Sequence, residues 1–166
     1  MKNVDELVAK AGERCDYYRL KEYHCSEASI RAVCETLGIN ISEDILRVAS
    51  GFRGGGGGYK ERCGVIEAGI IIISYLYGRM SPEEDAFGYS YLIRKLHDRF
   101  LEELGSYNCR MLRPFSQYHT EDHSCAITYR NGAMIITRLL LEADQLLKDV
   151  PEDEKGVMML NEHPEQ

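Results

Sequence analysis

Apolar residues recur along most of this chain at steps of three and four, the spacing of one face of an α-helix. Val4, Leu7, Val8, Ala11, Cys15 and Tyr18 form the first such stripe. Ile30, Val33, Cys34 and Leu37 form the second, and Gly38 then supplies a left-handed stop. Ser42 is placed to cap a short helix ending at Ala49, with Glu43 and Asp44 suited to its positive end. The run Gly51-Phe52-Arg53-Gly54-Gly55-Gly56-Gly57-Gly58 reads as a loop, because glycine loses so much backbone freedom in regular structure. A very apolar helix is expected next, from about Lys60 to Tyr77. Its Ile70-Ile71-Ile72-Ile73 run suits a strand by propensity, but length and the lack of alternation favour a central helix buried on most sides.

Ser81-Pro82-Glu83-Glu84 has the form of a helix start, with Ser81 as N-cap, Pro82 at the first helical position and Glu84 completing a capping box. That helix is expected to run to about Leu104 and stop at Gly105. Residues 106–123 are polar, contain Pro114 and read as irregular. A last helix is expected from about Cys125 to Leu147, with Ala133, Ile136, Leu140, Ala143 and Leu147 at helical spacing. The pattern thus predicts an all-α fold: about five or six helices in one bundle-like domain over residues 1–150, then an acidic tail over 151–166. Val157-Met158-Met159-Leu160 in that tail would dock on a neighbour or fray.

A length of 166 residues suits one domain with a substantial core. The formal charge of −7 disfavours a nucleic-acid binder or a polybasic membrane-surface protein, both of which need a basic face. No membrane span is expected: the longest apolar stretch, Val65 to Tyr77, contains Glu67 and falls short of the roughly 18–20 residues required. Met1 to Glu6 lacks the apolar core of a signal peptide, which points to a cytoplasmic location. In a reducing cytoplasm, cysteines beyond core packing are more often metal-binding or redox-active than disulfide-bonded.

There are six cysteines. Cys15 and Cys34 fall on the apolar stripes and read as small core hydrophobes. Cys25, Cys63 and Cys125 fall at expected helix starts, and Cys109 in the irregular segment. Free N–H groups and the helix dipole favour anions at a helix N-terminus, a known way to lower a thiol pKa. An ordinary thiol with pKa about 8.5 is only about 3% ionised at pH 7. There is no C-x-x-C, so no thioredoxin-type pair or zinc ribbon is written locally, and no C-x-x-C-H for c-type haem. Any site must be assembled by the fold. Four thiolates brought together would repel one another, and protons, disulfides or a metal must relieve that.

With Tyr23-His24-Cys25-Ser26-Glu27-Ala28, the Gly51–Gly58 loop, Cys63-Gly64 opening an apolar helix that ends at Gly78-Arg79, then Cys109 and Cys125, the chain resembles the C-GCAxxG-C-C family over roughly residues 5–147. These are small helical proteins named for four separated cysteines. The resemblance implies a redox or metal-cluster protein whose four cysteines are Cys25, Cys63, Cys109 and Cys125. Cys15 and Cys34 have no counterpart in the pattern. The chain departs from it in Cys63-Gly64-Val65-Ile66-Glu67-Ala68-Gly69: Val65 replaces an alanine, Ala68 stands where the last glycine is expected, and Gly69 follows one place later. Packing beside the site is expected to differ there, and Glu67 adds a charge.

Other features bear on chemistry. The glycine loop lacks the G-K-[ST] of a phosphate loop and follows no strand. It reads as a linker, or as a backbone lid in which Gly56, Gly57, Gly58 and Gly64 approach the Cys63 sulfur and offer N–H groups. His119 and His123, four apart with Cys125 two further on, would share a face on a helix and could then bind zinc. His24 is placed to tune Cys25, and Arg110 to lower the pKa of Cys109. The eleven tyrosines read as packing.

The expected function is redox, with Cys25, Cys63, Cys109 and Cys125 as iron–sulfur ligands or as thiol/disulfide pairs, served by an electron donor or acceptor outside the chain. A structural zinc site is the alternative. So is a helical interaction module without chemistry, for which an exposed apolar stripe would favour a homodimer.

Overall fold

Helices α1 (Val4–Leu20), α2 (Cys25–Leu37) and α3 (Glu43–Ala49) follow one another, and a 3-10 turn at Ser50–Phe52 leads into the glycine loop. Then come α4 (Gly64–Tyr77), α5 (Phe87–Leu104), α6 (Cys109–Tyr118) and α7 (Ala126–Lys148). This computed structural model describes residues 3–151 and Glu154. Among them the fold is all-α, with seven α-helices rather than five or six. The Val157–Leu160 segment lies outside the described residues.

The local signals work as expected in the first three helices. The Asn3 side chain accepts from Asp5 N, the Ser42 side chain accepts from Ile45 N, and Gly38 is left-handed with φ 70°. The core gathers around α4, where Val65, Ile66, Ala68, Ile72 and Ile73 are fully buried. Helix α4 packs on α2, α5 and α7, while α1 covers α2 and α7. Gly69 makes the close approach possible: a Cβ there would lie 2.7 Å from Leu96 and 2.9 Å from Ile136. Ala68 is buried beside it, so the shifted glycine of the sequence serves contact with α5 and α7. Among the described residues, no helix is long and apolar enough to cross a membrane.

Two expectations are corrected. Ser81-Pro82-Glu83-Glu84 does not start α5. The Glu84 carboxylate reaches back to Met80 N at 3.1 Å, and Glu84 N closes a turn on Ser81 O. The helix begins at Phe87, whose N–H is met by the Asp85 carboxylate at 3.0 Å. The segment 106–123 is not irregular throughout, since it contains α6 with Pro114 inside. Cys109, Leu112 and Ser116 form its buried face, and Pro114 lies on the exposed side. The hydrogen bond Pro114 cannot donate would have gone to the carbonyl of Arg110, also an exposed residue, where water can replace it.

Candidate functional site

Cys25 and Cys109 are the first residues of α2 and α6, and Cys63 and Cys125 stand immediately before α4 and α7. All four cysteines therefore open helices, where the sequence reading had placed three. They line one cavity of about 410 Å³. Its wall also includes His24, Arg53, Gly54, Arg113, His123 and Tyr129.

Three local devices bring the sulfurs together. The first is an antiparallel bridge between Arg62 and Asn108. Cys63 N donates to Tyr107 O at 2.9 Å, and Cys109 N donates to Glu61 O at 2.6 Å. The starts of α4 and α6 are thus laid side by side, with Cys63 and Cys109 at diagonal positions on one side of the bridge. The second is the tie between α6 and α7. Buried Ser116 donates to Ser124 O at 3.0 Å, Thr120 donates to the same carbonyl, and the Ser124 hydroxyl accepts from Ala126 N. The third is Gly64, where a Cβ would lie 2.5 Å from the Cys25 sulfur and 2.6 Å from Phe52 O. The glycine after Cys63 is thus the space in which Cys25 sits.

The glycine loop is ordered by its own backbone. Gly54 to Gly58 all have positive φ, a left-handed run that side chains would strain at roughly 1–2 kcal/mol per residue. Gly58 N, Lys60 N and Glu61 N donate back to Arg53, Gly54 and Gly55. Its approach to sulfur is through Gly54, whose N–H points at the Cys25 sulfur at 3.4 Å. Gly56, Gly57 and Gly58 are exposed and lie outside the cavity wall. Gly64 is buried, against Cys25 rather than Cys63.

Electrostatics oppose the simple helix-dipole expectation. Burial pushes all four thiols up, Cys125 to about 11. For Cys25 the rise is opposed by the N–H groups of Gly54, Ser26 and Gly64, and for Cys63 by those of Val65 and Ile66. Arg113 favours the thiolates of Cys109 and Cys125. A charge on Cys25 disfavours ionisation of each of the other three, so Cys25 stands among them. Desolvation outweighs these dipoles and favours the neutral thiol at each of the four.

The remaining candidates are sorted by the fold. His24 lines the cavity. So does His123, in a left-handed turn with φ 49° and with Nδ1 3.1 Å from Gln117 O. His119 is exposed against Phe115 and Tyr118, so His119 and His123 do not share a helix face. Arg110 turns away to Glu61 at 3.1 Å, and Glu67 pairs with Arg62. Cys15 and Cys34 are in the core and outside the cavity wall. No disulfide is formed. Among the described residues, no group of three His, Cys, Asp or Glu is gathered closely enough for one metal ion.

Arg19, Arg53, Arg113 and Tyr129 were not singled out from the sequence. Two of them carried a signal: Arg113 follows Cys109 by four residues and Tyr129 follows Cys125 by four, one helical turn on the same face. Tyr129 is the clearer loss. Its hydroxyl is pushed well up by burial and then by the neighbouring sulfurs of Cys25 and Cys125.

No curated protein and no solved structure matches the chain. The family described as "Putative redox-active protein (C_GCAxxG_C_C)" matches residues 23–139, more than two thirds of the sequence, and that span contains Cys25, Cys63, Cys109 and Cys125. The chain belongs to this family.

Proposed function

We propose that the protein is a redox protein in which Cys25, Cys63, Cys109 and Cys125 act together as ligands of an iron–sulfur cluster. The observation that carries this reading is the convergence of four helix N-termini, each bearing a cysteine, on one cavity. Four thiolates are the ordinary donor set of such a cluster, which would supply one-electron transfer. Binding requires each sulfur to lose its proton, and the raised thiol pKa values mean that metal must drive that loss. The N–H of Gly54, the open helix ends and the Arg113 guanidinium would then stabilise negative sulfur. The space at Gly64 leaves room for the Cys25 sulfur. A single closed zinc is the other use of four thiolates, with Zn–S bonds of about 2.3 Å, and a metal assay separates it from a cluster.

A second reading is favoured by the Arg62–Asn108 bridge, which makes Cys63 and Cys109 neighbours. Two thiols would join as a disulfide, releasing two electrons and two protons to an acceptor outside the chain. Cβ atoms must then close to about 3.5–4.5 Å.

Purification without oxygen, followed by visible spectroscopy and assays of iron, zinc and free thiols, tests both. Visible absorbance with stoichiometric iron, lost in Cys25→Ser and Cys63→Ser, is the expected result. No metal, with oxidant-dependent loss of two or four thiols, transfers the function to the disulfide reading. Zinc without colour, or no metal and six inert thiols, overturns both.

A further inference from the structure

The chain is acidic, with 27 Asp and Glu against 20 Lys and Arg. The cavity reverses that balance. Its wall contains Arg19, Arg53 and Arg113, and neither an aspartate nor a glutamate. Arg53 and Arg113 are exposed, and among the described residues neither forms an ion pair. Arg19 is held from outside by Asp122 at 2.9 Å, and its buried Nε has no partner among the described residues. Cys63 and Cys109 are only 4% and 7% exposed. Cations therefore stand at the mouth and sulfur below them. The four helix N-termini that open at the cavity cysteines add partial positive charge. Gln117 and Ser124 add polar groups to the wall, and the volume is in the range of small-ligand sites.

We propose that this cavity admits a small anion whose charge is on oxygen, a carboxylate or an inorganic oxyanion, with Arg53 and Arg113 receiving it above the buried sulfurs. Guanidinium groups suit such ligands because their paired N–H donors match two oxygens at once. What the cysteines then do to the anion rests on the redox reading above; its admission does not.

Iodoacetate and iodoacetamide test this in the reduced, metal-free full chain. Both alkylate the same thiolate by displacing iodide, and they differ in charge, so their rate ratio is independent of how much thiolate is present. The ratio is read at Cys25 and Cys125, the half-buried pair, by mass spectrometry. It should exceed that of the urea-unfolded chain. Arg53→Gln and Arg113→Gln should each lower it, on the order of threefold to tenfold. Arg113→Lys should keep most of it. Arg138→Gln removes the same charge from a site 12 residues beyond Ala126, roughly 18 Å along α7, and should leave it unchanged. Should a variant fail to fold, the ratio in the unaltered chain must still fall with added salt. Slowing of the iodoacetamide reaction by acetate, or by inorganic phosphate instead, assigns the anion type. A ratio equal to that of the unfolded chain overturns the proposal, as does an equal loss in Arg138→Gln. Charge-blind alkylation with electron transfer intact removes the anion site alone. Anion selectivity with no bound metal and no oxidant-dependent loss of thiols removes the redox reading alone.

Discussion

Cys34 and Cys63 are equally hidden, at 3% and 4% exposure, and they occupy different chemical settings. Cys34 lies nine residues into α2 among apolar side chains, and burial alone pushes its thiol up to about 12. Cys63 stands before α4, receives N–H groups from Val65 and Ile66, and faces a cavity shared with three other cysteines. Cys15 and Cys25 repeat the contrast at closer range. Cys15 is 3.7 Å from the Ser29 hydroxyl inside the core, while Cys25 opens its helix beneath the Gly54 N–H. Burial therefore does not sort the cysteines of this protein. Their position relative to a helix start does, because only there are backbone N–H donors left over for a charged sulfur.

Gly64→Ala should break the site side of this contrast most severely. The added carbon meets the Cys25 sulfur at 2.5 Å and a main-chain oxygen at 2.6 Å, and the backbone atom cannot swing aside. A loss of about 3 kcal/mol is expected, at the upper end of overpacking effects, and the cluster proposed above would be lost with it. Denaturant unfolding measures the first. Gly51→Ala is the internal control, since nothing lies within 4 Å of its added carbon, and it should stay within about 0.5 kcal/mol of the parent. A loss below about 1 kcal/mol for Gly64→Ala would mean that α4 and Cys25 are not held in contact.

The paired replacements Cys34→Ser and Cys63→Ser sharpen the contrast at intermediate size. A buried hydroxyl without a partner costs about 1–3 kcal/mol, so Cys34→Ser should lower stability and leave iron content and thiol cycling unchanged. Cys63→Ser should remove the redox property. Equal effects of the two on iron would erase the distinction between core and site.

The sequence made much of this arrangement legible, and the failures have physical causes. Helices α1, α2, α4 and α7 followed from their apolar positions, and α3 from its Ser42 cap, since Ala49 alone of its residues is buried. The start of α5 was misplaced, since Ser81 and Glu84 have the residues of a capping box and Glu84 spends its carboxylate on Met80. Pro114 concealed α6, and with it the fact that Cys109 opens a helix as the other three do. The convergence itself has no local trace. It depends on a bridge between Arg62 and Asn108, two segments far apart in the chain. Glycine content announced a loop but not the left-handed run that turns Gly54 toward sulfur.

The smallest effect separates two helix caps of the same chemistry. Asn108 accepts from Arg110 N at 2.9 Å at the start of α6, and Asn3 accepts from Asp5 N at 3.2 Å at the start of α1. Replacing either with alanine should cost about 1 kcal/mol, the ordinary value for a lost N-cap. Their local consequences should differ. Asn108→Ala loosens the first turn of α6, so Cys109 should be alkylated faster in the reduced protein, while Asn3→Ala should leave Cys109 as it was. Peptide mapping after a short alkylation pulse reads this directly. If both substitutions changed Cys109 equally, its protection would come from global stability. If only Asn108→Ala changes it, the helix start itself guards the sulfur, which is the property that divides the four site cysteines from Cys15 and Cys34.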